Sequence, residues 1–201
     1  TYAPLSTLKS LYEKALSFDD VIGLSIGTRT DCVTDEILDF LYEKSKEKEI
    51  WIEYGIQSFF QTTLDKINRA DNIENMRYWI KRTKDKGLNV CGHLIYGLPD
   101  ENQEMMLETF KQTIDLKVDS IKFHPLYVVK NTLLTNEFKK GRFNPISEEL
   151  YIDTVVQSII NLPQNVSVQR VTAGIDDDTL LSPLWCKNKH QQMKKIRVAL
   201  E

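Results

Sequence analysis

Cysteine is scarce in this 201-residue chain, and its three copies, Cys32, Cys91 and Cys186, form neither a CxxC pair nor any other metal-ligand spacing. That excludes a disulfide framework or a zinc or iron–sulfur site legible from local spacing, and it fits a reducing compartment. A glycine-rich phosphate loop is also missing. No GxGxxG opens a helix, which argues against a dinucleotide-binding fold. No apolar run approaches the length of a membrane span, and no signal-peptide pattern stands at the amino terminus; the expectation is a cytoplasmic protein with no membrane partner. Neither sign of charge dominates: 26 Lys+Arg stand against 29 Asp+Glu, so the chain lacks the basic excess that announces nucleic-acid binding. With no low-complexity linker, and with enough length to bury roughly two thirds of its unfolded surface, the chain reads as one folded unit.

What is present is a repeated rhythm of apolar runs and amphipathic patterns. Asn89 to Tyr96 is a mostly apolar run that ends in Gly97-Leu98-Pro99 followed by Asp100 and Glu101, as a buried strand delivering a loop would. Similar runs stand at Val21–Gly27, Ile50–Gln57, Asp119–Leu126 and Val166–Val171. Between them lie helical patterns: Leu8 to Leu16, with Ser6 a possible cap; a stripe of Ile37, Leu38 and Leu41 opened by Thr34; a short helix ending near Arg69; Ile73 to Lys86; a stripe of Met106, Phe110 and Ile114; and Glu148 to Asn161. A basic helix carrying Lys187, Lys189, Lys194, Lys195 and Arg197 closes the chain. Such a helix is either a solvated surface or a nucleic-acid contact.

Strand and helix alternating every 30 to 40 residues call for right-handed βαβ units, in a barrel or a doubly wound sheet. The segments after the strands carry Arg29 and Asp31, Gln57 and Ser58, Asp100 and Glu101, His124, and Arg170 and Thr172, which is where a (β/α) barrel builds its active site. The fold expected is therefore α/β, a partial TIM-like barrel. His93 is a polar ring in an apolar strand, either satisfied by core hydrogen bonds or serving as a ligand contact.

The motifs Glu53-Tyr54-Gly55-Ile56-Gln57-Ser58, Asn68-Arg69, His93-Leu94-Ile95-Tyr96-Gly97-Leu98-Pro99 and Lys122-Phe123-His124-Pro125-Leu126 together resemble, in order, those of the radical S-adenosylmethionine (SAM) superfamily. Ser25 to Cys32, Val128 to Thr132 and Ser182 to Trp185 look most like its YhcC-type branch, near the Elongator catalytic subunit and the oxygen-independent coproporphyrinogen oxidases. The resemblance implies a radical SAM barrel over residues 1–140, with residues 141–201 as a carboxyl-terminal extension packed on it.

It further implies a [4Fe–4S] cluster held by three cysteines, with SAM bound at its open iron and cleaved to a radical that abstracts hydrogen. By resemblance Gln57 would hydrogen-bond SAM and Arg69 would pair with its carboxylate. His93 would contact the ribose. Gly97 would admit the adenine, or merely permit the turn before Pro99. Glu53 would orient Gln57 or a neighbouring lysine, or serve structure alone. Arg29 would touch SAM or substrate or form an ordinary ion pair; Arg170, Lys122 and His124 are the substrate candidates.

The sequence departs from the family in two places. Gly27 and Thr30 stand where relatives often carry glutamate and proline, and the three closely spaced cysteines do not occur. Thr1-Tyr2-Ala3-Pro4 resembles the loop leaving the second barrel strand, so the expectation is a carboxyl-terminal portion that takes up no cluster by itself and self-associates through its truncated barrel. Two other classes of function compete with this one. One is a half-barrel binding a nucleotide or RNA without radical chemistry; the other is an ordinary barrel lyase or isomerase using His124, Lys122 and Glu53 as acids and bases.

Overall fold

A computed structural model describes residues 2–201. Five strands, β1 (Gly23–Thr28), β2 (Glu49–Gln57), β3 (Asn89–Tyr96), β4 (Ser120–Pro125) and β6 (Ser167–Arg170), form one all-parallel sheet in the order β1-β2-β3-β4-β6. Each strand lies beside the next one in sequence, the winding of a barrel rather than of a doubly wound sheet, whose strand order reverses at a switch point. The sheet does not close: β1 and β6 are its edges, so the architecture is a partial (β/α) barrel.

The crossovers are α2 (Asp35–Ser45), α3 (Gln61–Lys66) with α4 (Ile73–Asp85), α5 (Gln103–Asp115) and α7 (Glu148–Ile160). Their starts follow local side-chain chemistry. Thr34, Asn72, Asn102 and Ser147 each accept a backbone N–H three residues on, contacts worth about 1 kcal/mol apiece. The first helix, α1 (Leu5–Leu16), differs from expectation: Pro4, not Ser6, stands at its cap, with no side-chain bond there.

Strand alternation sorts the two faces of the sheet. Ile50, Ile52, Tyr54 and Ile56, with Val90, Leu94 and Tyr96, and Ile121 and Phe123, are buried under the helices. Polar groups on that side are paired: Tyr54 bonds Thr83 of α4 at 2.8 Å and Tyr96 bonds Ser158 of α7 at 2.8 Å. The opposite, inner face carries Ser25, Glu53, Gly55, Gln57, His93, Lys122 and His124, most of them only partly buried.

Beyond β4 the chain makes three further elements that no periodicity announced. β5 (Val128–Val129) pairs antiparallel with β7 (Leu180–Ser182), and α6 (Leu133–Lys139) follows β5. The chain closes with α8 (Lys189–Leu200), capped by Asn188 and set against α7 by the ion pair of Lys195 with Glu148.

Candidate functional site

Gln57 is the last residue of β2, and its backbone adopts φ +70°, a left-handed conformation that costs a non-glycine residue of order 1 kcal/mol. The pairing of β2 with β3 slips between Gly55 and Gln57, which re-aims the strand end. The side-chain carbonyl Oε1 of Gln57 is buried and has no hydrogen-bond partner.

Arg69 reaches the same place from another element. α3 ends in a Schellman turn with Asn68 at φ +55°: the Asn68 N–H donates to Asp65 at 3.0 Å and the Arg69 N–H to Leu64 at 2.8 Å. This turns Arg69 back over the sheet, where one guanidinium nitrogen donates to the Gly55 carbonyl while its Nε is buried without a partner. Burial lowers its pKa, with the neighbouring Arg29 charge acting in the same direction. Asp71, the carboxylate nearest in sequence, is engaged by Thr30, the Asn72 N–H and Asn75.

Gly55 lies beneath both groups and carried no assignment in the sequence. A Cβ there would come within 2.8 Å of Gln57 Nε2 and 3.3 Å of the Arg69 guanidinium. The signal was available: an isolated glycine inside a strand marks close approach of other atoms. Gly97 has another explanation. At φ +88°, with Ile146 side-chain atoms 2.7 Å from where a Cβ would stand, it is fixed by turn geometry and packing.

Arg29 is held by both oxygens of Asp31, with Nε to Oδ1 at 2.8 Å, and by the Tyr2 hydroxyl. Glu53 accepts from the Lys122 ammonium and the Ser25 hydroxyl. Burial pushes its carboxyl up, but these two donors outweigh burial and hold it below the usual range. Of the sequence alternatives for Glu53, the lysine is thus the partner observed. The two carboxylates after β3 tie its loop to the chain that leaves β2: Glu101 accepts from Ser58 in the loop after β2, and Asp100 pairs with Lys66 at the end of α3.

His93 stands centrally on the inner face, its Nε2 2.8 Å from the Arg170 guanidinium. Since arginine only donates, Nε2 is the acceptor and the ring is neutral with its proton on Nδ1. Burial, then the Arg170 charge, push its pKa down to about 4. His124, with ring centroid 5.7 Å from that of His93, donates Nδ1–H to the Pro125 carbonyl at 2.6 Å, and burial lowers its pKa too.

Two neighbouring cavities with shared lining residues open on this arrangement. A polar one of about 330 Å³ is lined by Gly27, Arg29, Glu53, Gly55, Gln57, Arg69 and His93. It shares Arg29, Gln57 and Arg69 with a more apolar cleft of about 740 Å³ that includes Ile95, Leu98, Pro99, Leu126 and Leu133.

Among the described residues, the buried side-chain polar atoms without a partner are four: Gln57 Oε1, Arg69 Nε, Arg170 Nε and the Tyr127 hydroxyl. Gln57, Tyr127 and Arg170 lie at or just beyond the carboxyl ends of β2, β4 and β6, and Arg69 reaches the end of β2 from the turn after α3. An acceptor beside an unsatisfied guanidinium fits an amino-acid end carrying both ammonium and carboxylate, and the adjoining apolar cleft fits a nucleoside. A cluster is a different matter. No group of three or more Cys, His, Asp or Glu able to hold a metal occurs among the described residues, and Cys91 and Cys186 are buried on separate elements.

Comparison with known proteins shows the family of the chain. The Radical SAM superfamily model matches residues 3–113, and that of the Radical_SAM C-terminal domain matches residues 118–201. Protein YhcC of Escherichia coli K12 is 38% identical over 197 residues, covering 98% of this chain and 64% of YhcC; the chain thus spans less than two thirds of that relative's length. The tRNA uridine(34) acetyltransferase of Methanocaldococcus infernus is 27% identical over 88% of this chain and 34% of its own length. The solved structure of the archaeal Methanocaldococcus infernus Elp3 with an amino-terminal deletion superposes with a TM-score of 0.73 at 25% identity, covering 87% of this chain and 42% of that one. The family uses SAM and a [4Fe–4S] cluster, and this chain belongs to the radical SAM superfamily.

Proposed function

We propose that the inner face of this half-barrel holds SAM, with Gln57 and Arg69 at its amino-acid end and the cleft beside Ile95, Leu98 and Leu126 around its nucleoside. The observation that carries the reading is the pair of buried, partnerless atoms, Gln57 Oε1 and Arg69 Nε, on one cavity wall. The Gln57 carbonyl accepts from the ammonium, and the Arg69 fork, anchored on Gly55, receives the carboxylate. Gly55 leaves the space both side chains occupy.

When bound at a [4Fe–4S] cluster, SAM supplies a radical able to abstract hydrogen. The residues described here do not fit such a cluster, so they contribute orientation and exclusion of water instead. His93 remains neutral beside the ribose end, and the Glu53–Lys122 pair fixes the floor without leaving an uncompensated charge.

RNA is the substrate class proposed, because a relative covering 88% of this chain is named as an enzyme of tRNA uridine 34. The acid–base alternative has less support: Glu53 is held ionised by Lys122, and His124 commits Nδ1–H to a backbone carbonyl. The test is calorimetric titration of the cluster-bearing protein with SAM. Gln57→Leu, nearly isosteric, is expected to weaken binding about tenfold, as loss of a hydrogen bond to a charged group does. Unchanged affinity would overturn the assignment of this cavity.

A further inference from the structure

Among the described residues, Arg69, in the turn after α3, and Arg170, at the end of β6, are partly buried guanidiniums with no carboxylate at ion-pair distance. Arg29 has Asp31, and Lys122 has Glu53. The reading above uses Arg69 and leaves Arg170 unexplained. One nitrogen of Arg170 donates to His93, a neutral acceptor that removes none of its charge, and its Nε–H is buried without a partner. The Tyr127 hydroxyl, two residues beyond β4, is likewise buried and partnerless. The Tyr127 ring packs 4.7 Å, centroid to centroid, from His124, whose Nδ1–H is already taken by the Pro125 carbonyl. Arg170 bonds His93, the His93 ring lies 5.7 Å from that of His124, and the His124 ring 4.7 Å from that of Tyr127, so these four groups form one continuous cluster.

An unsatisfied buried guanidinium N–H and an unsatisfied buried hydroxyl in one cluster offer two donors and a positive charge that no carboxylate there neutralises. Each such group is destabilising while it stays unpaired. The Arg170 charge repels a cation here, and a neutral apolar group would leave both donors stranded. We propose that Arg170 and Tyr127 form a second anion subsite, separate from the Gln57–Arg69 site, which takes a phosphate or carboxylate group of the molecule acted upon. His93 divides the two sites: it lines the cavity shared with Gln57 and Arg69 while its Nε2 anchors Arg170. The inference rests on the inner face being the binding face, but not on SAM being its occupant.

The test is the ¹H–¹⁵N resonance of Arg170 Nε, assigned by its loss in Arg170→Gln. The full chain is titrated with inorganic phosphate and, separately, with acetate. A saturable shift is expected with at least one of them, and the ion that binds more tightly identifies the anion class. In the variants the same ion is followed through the backbone amide shifts of residues 124–127 and 168–172: Arg170→Gln is expected to weaken it about ten- to hundredfold, Arg170→Lys to recover part of the loss, and Tyr127→Phe to weaken it severalfold while leaving the ion-free backbone spectrum unchanged. Tyr127→Phe also covers the case in which the arginine variants fail to fold. No shift with either anion, or a shift that persists undiminished in Tyr127→Phe and Arg170→Gln, would overturn the proposal. Since neither titration contains SAM, that failure would leave the Gln57–Arg69 reading standing, and the SAM titration can fail without touching this one.

Discussion

Removing the Arg69 side chain is the sharpest test of the site, because the structure separates its two contributions. In the protein, one guanidinium nitrogen donates to the Gly55 carbonyl and the Nε–H is left over. Arg69→Ala removes the first bond, worth about 0.5–1.5 kcal/mol of stability, and a carbonyl in this partly open strand can turn to water instead. The effect on SAM is larger. A charge-assisted hydrogen bond contributes about 1.5–3 kcal/mol, so the affinity for SAM is expected to fall roughly ten- to hundredfold. Arg69→Lys keeps the charge but loses the fork and should recover only part of this. Calorimetry with SAM on the cluster-bearing wild type and both variants measures the affinity; the cluster spectrum and a urea transition check that the fold persists. Affinity unchanged in the alanine variant, or lost only in proportion to stability, would refute the carboxylate assignment and shift it toward Gln57 and His93.

Four further outcomes are expected. Gly55→Ala should weaken SAM binding with little loss of stability, since the close contacts of the new methyl are the side-chain ends of Gln57 and Arg69, with the Thr28 carbonyl at an ordinary 3.8 Å; equal binding measured by calorimetry would show that the two groups do not need their present positions. Stability should fall as the pH drops from about 6.5 toward 4, because unfolded histidine takes up a proton near 6.5 whereas folded His93 resists it down to about 4. The contribution is complete above the unfolded pKa and is on the order of 3 kcal/mol at most, and His93→Gln should flatten this part of a urea-denaturation pH profile. Anaerobic reconstitution of the 201-residue chain with iron and sulfide should leave it without the brown absorbance of a [4Fe–4S] cluster, and a stoichiometric cluster would contradict the ligand geometry described. The unpaired edge of β1, flanked by exposed Phe18 and Ile22, should drive self-association, which a monodisperse monomer in light scattering at high concentration would contradict.

The sequence alone determined the alternation of elements, because buried parallel strands must be continuous apolar runs and helix starts are capped by side chains a few residues away. Ile50 to Gln57 and the Asn72 cap of α4 are legible for those reasons. It also marked Gln57, Arg69 and His93, through motifs whose order matched a family. It gave no sign of β5, β7 or α6, which are too short for a periodicity to emerge. Only the tertiary structure decided which polar groups meet. Glu53 and Lys122 are 69 residues apart and His93 and Arg170 are 77 apart, on strands whose adjacency depends on sheet order rather than on local pattern. The unsatisfied state of Tyr127 and Arg170 is likewise invisible in sequence, because a missing hydrogen bond is a property of everything packed around an atom. Gly97 shows the converse: its motif points to a ligand, while its packing against Ile146 supplies a sufficient reason within the protein itself.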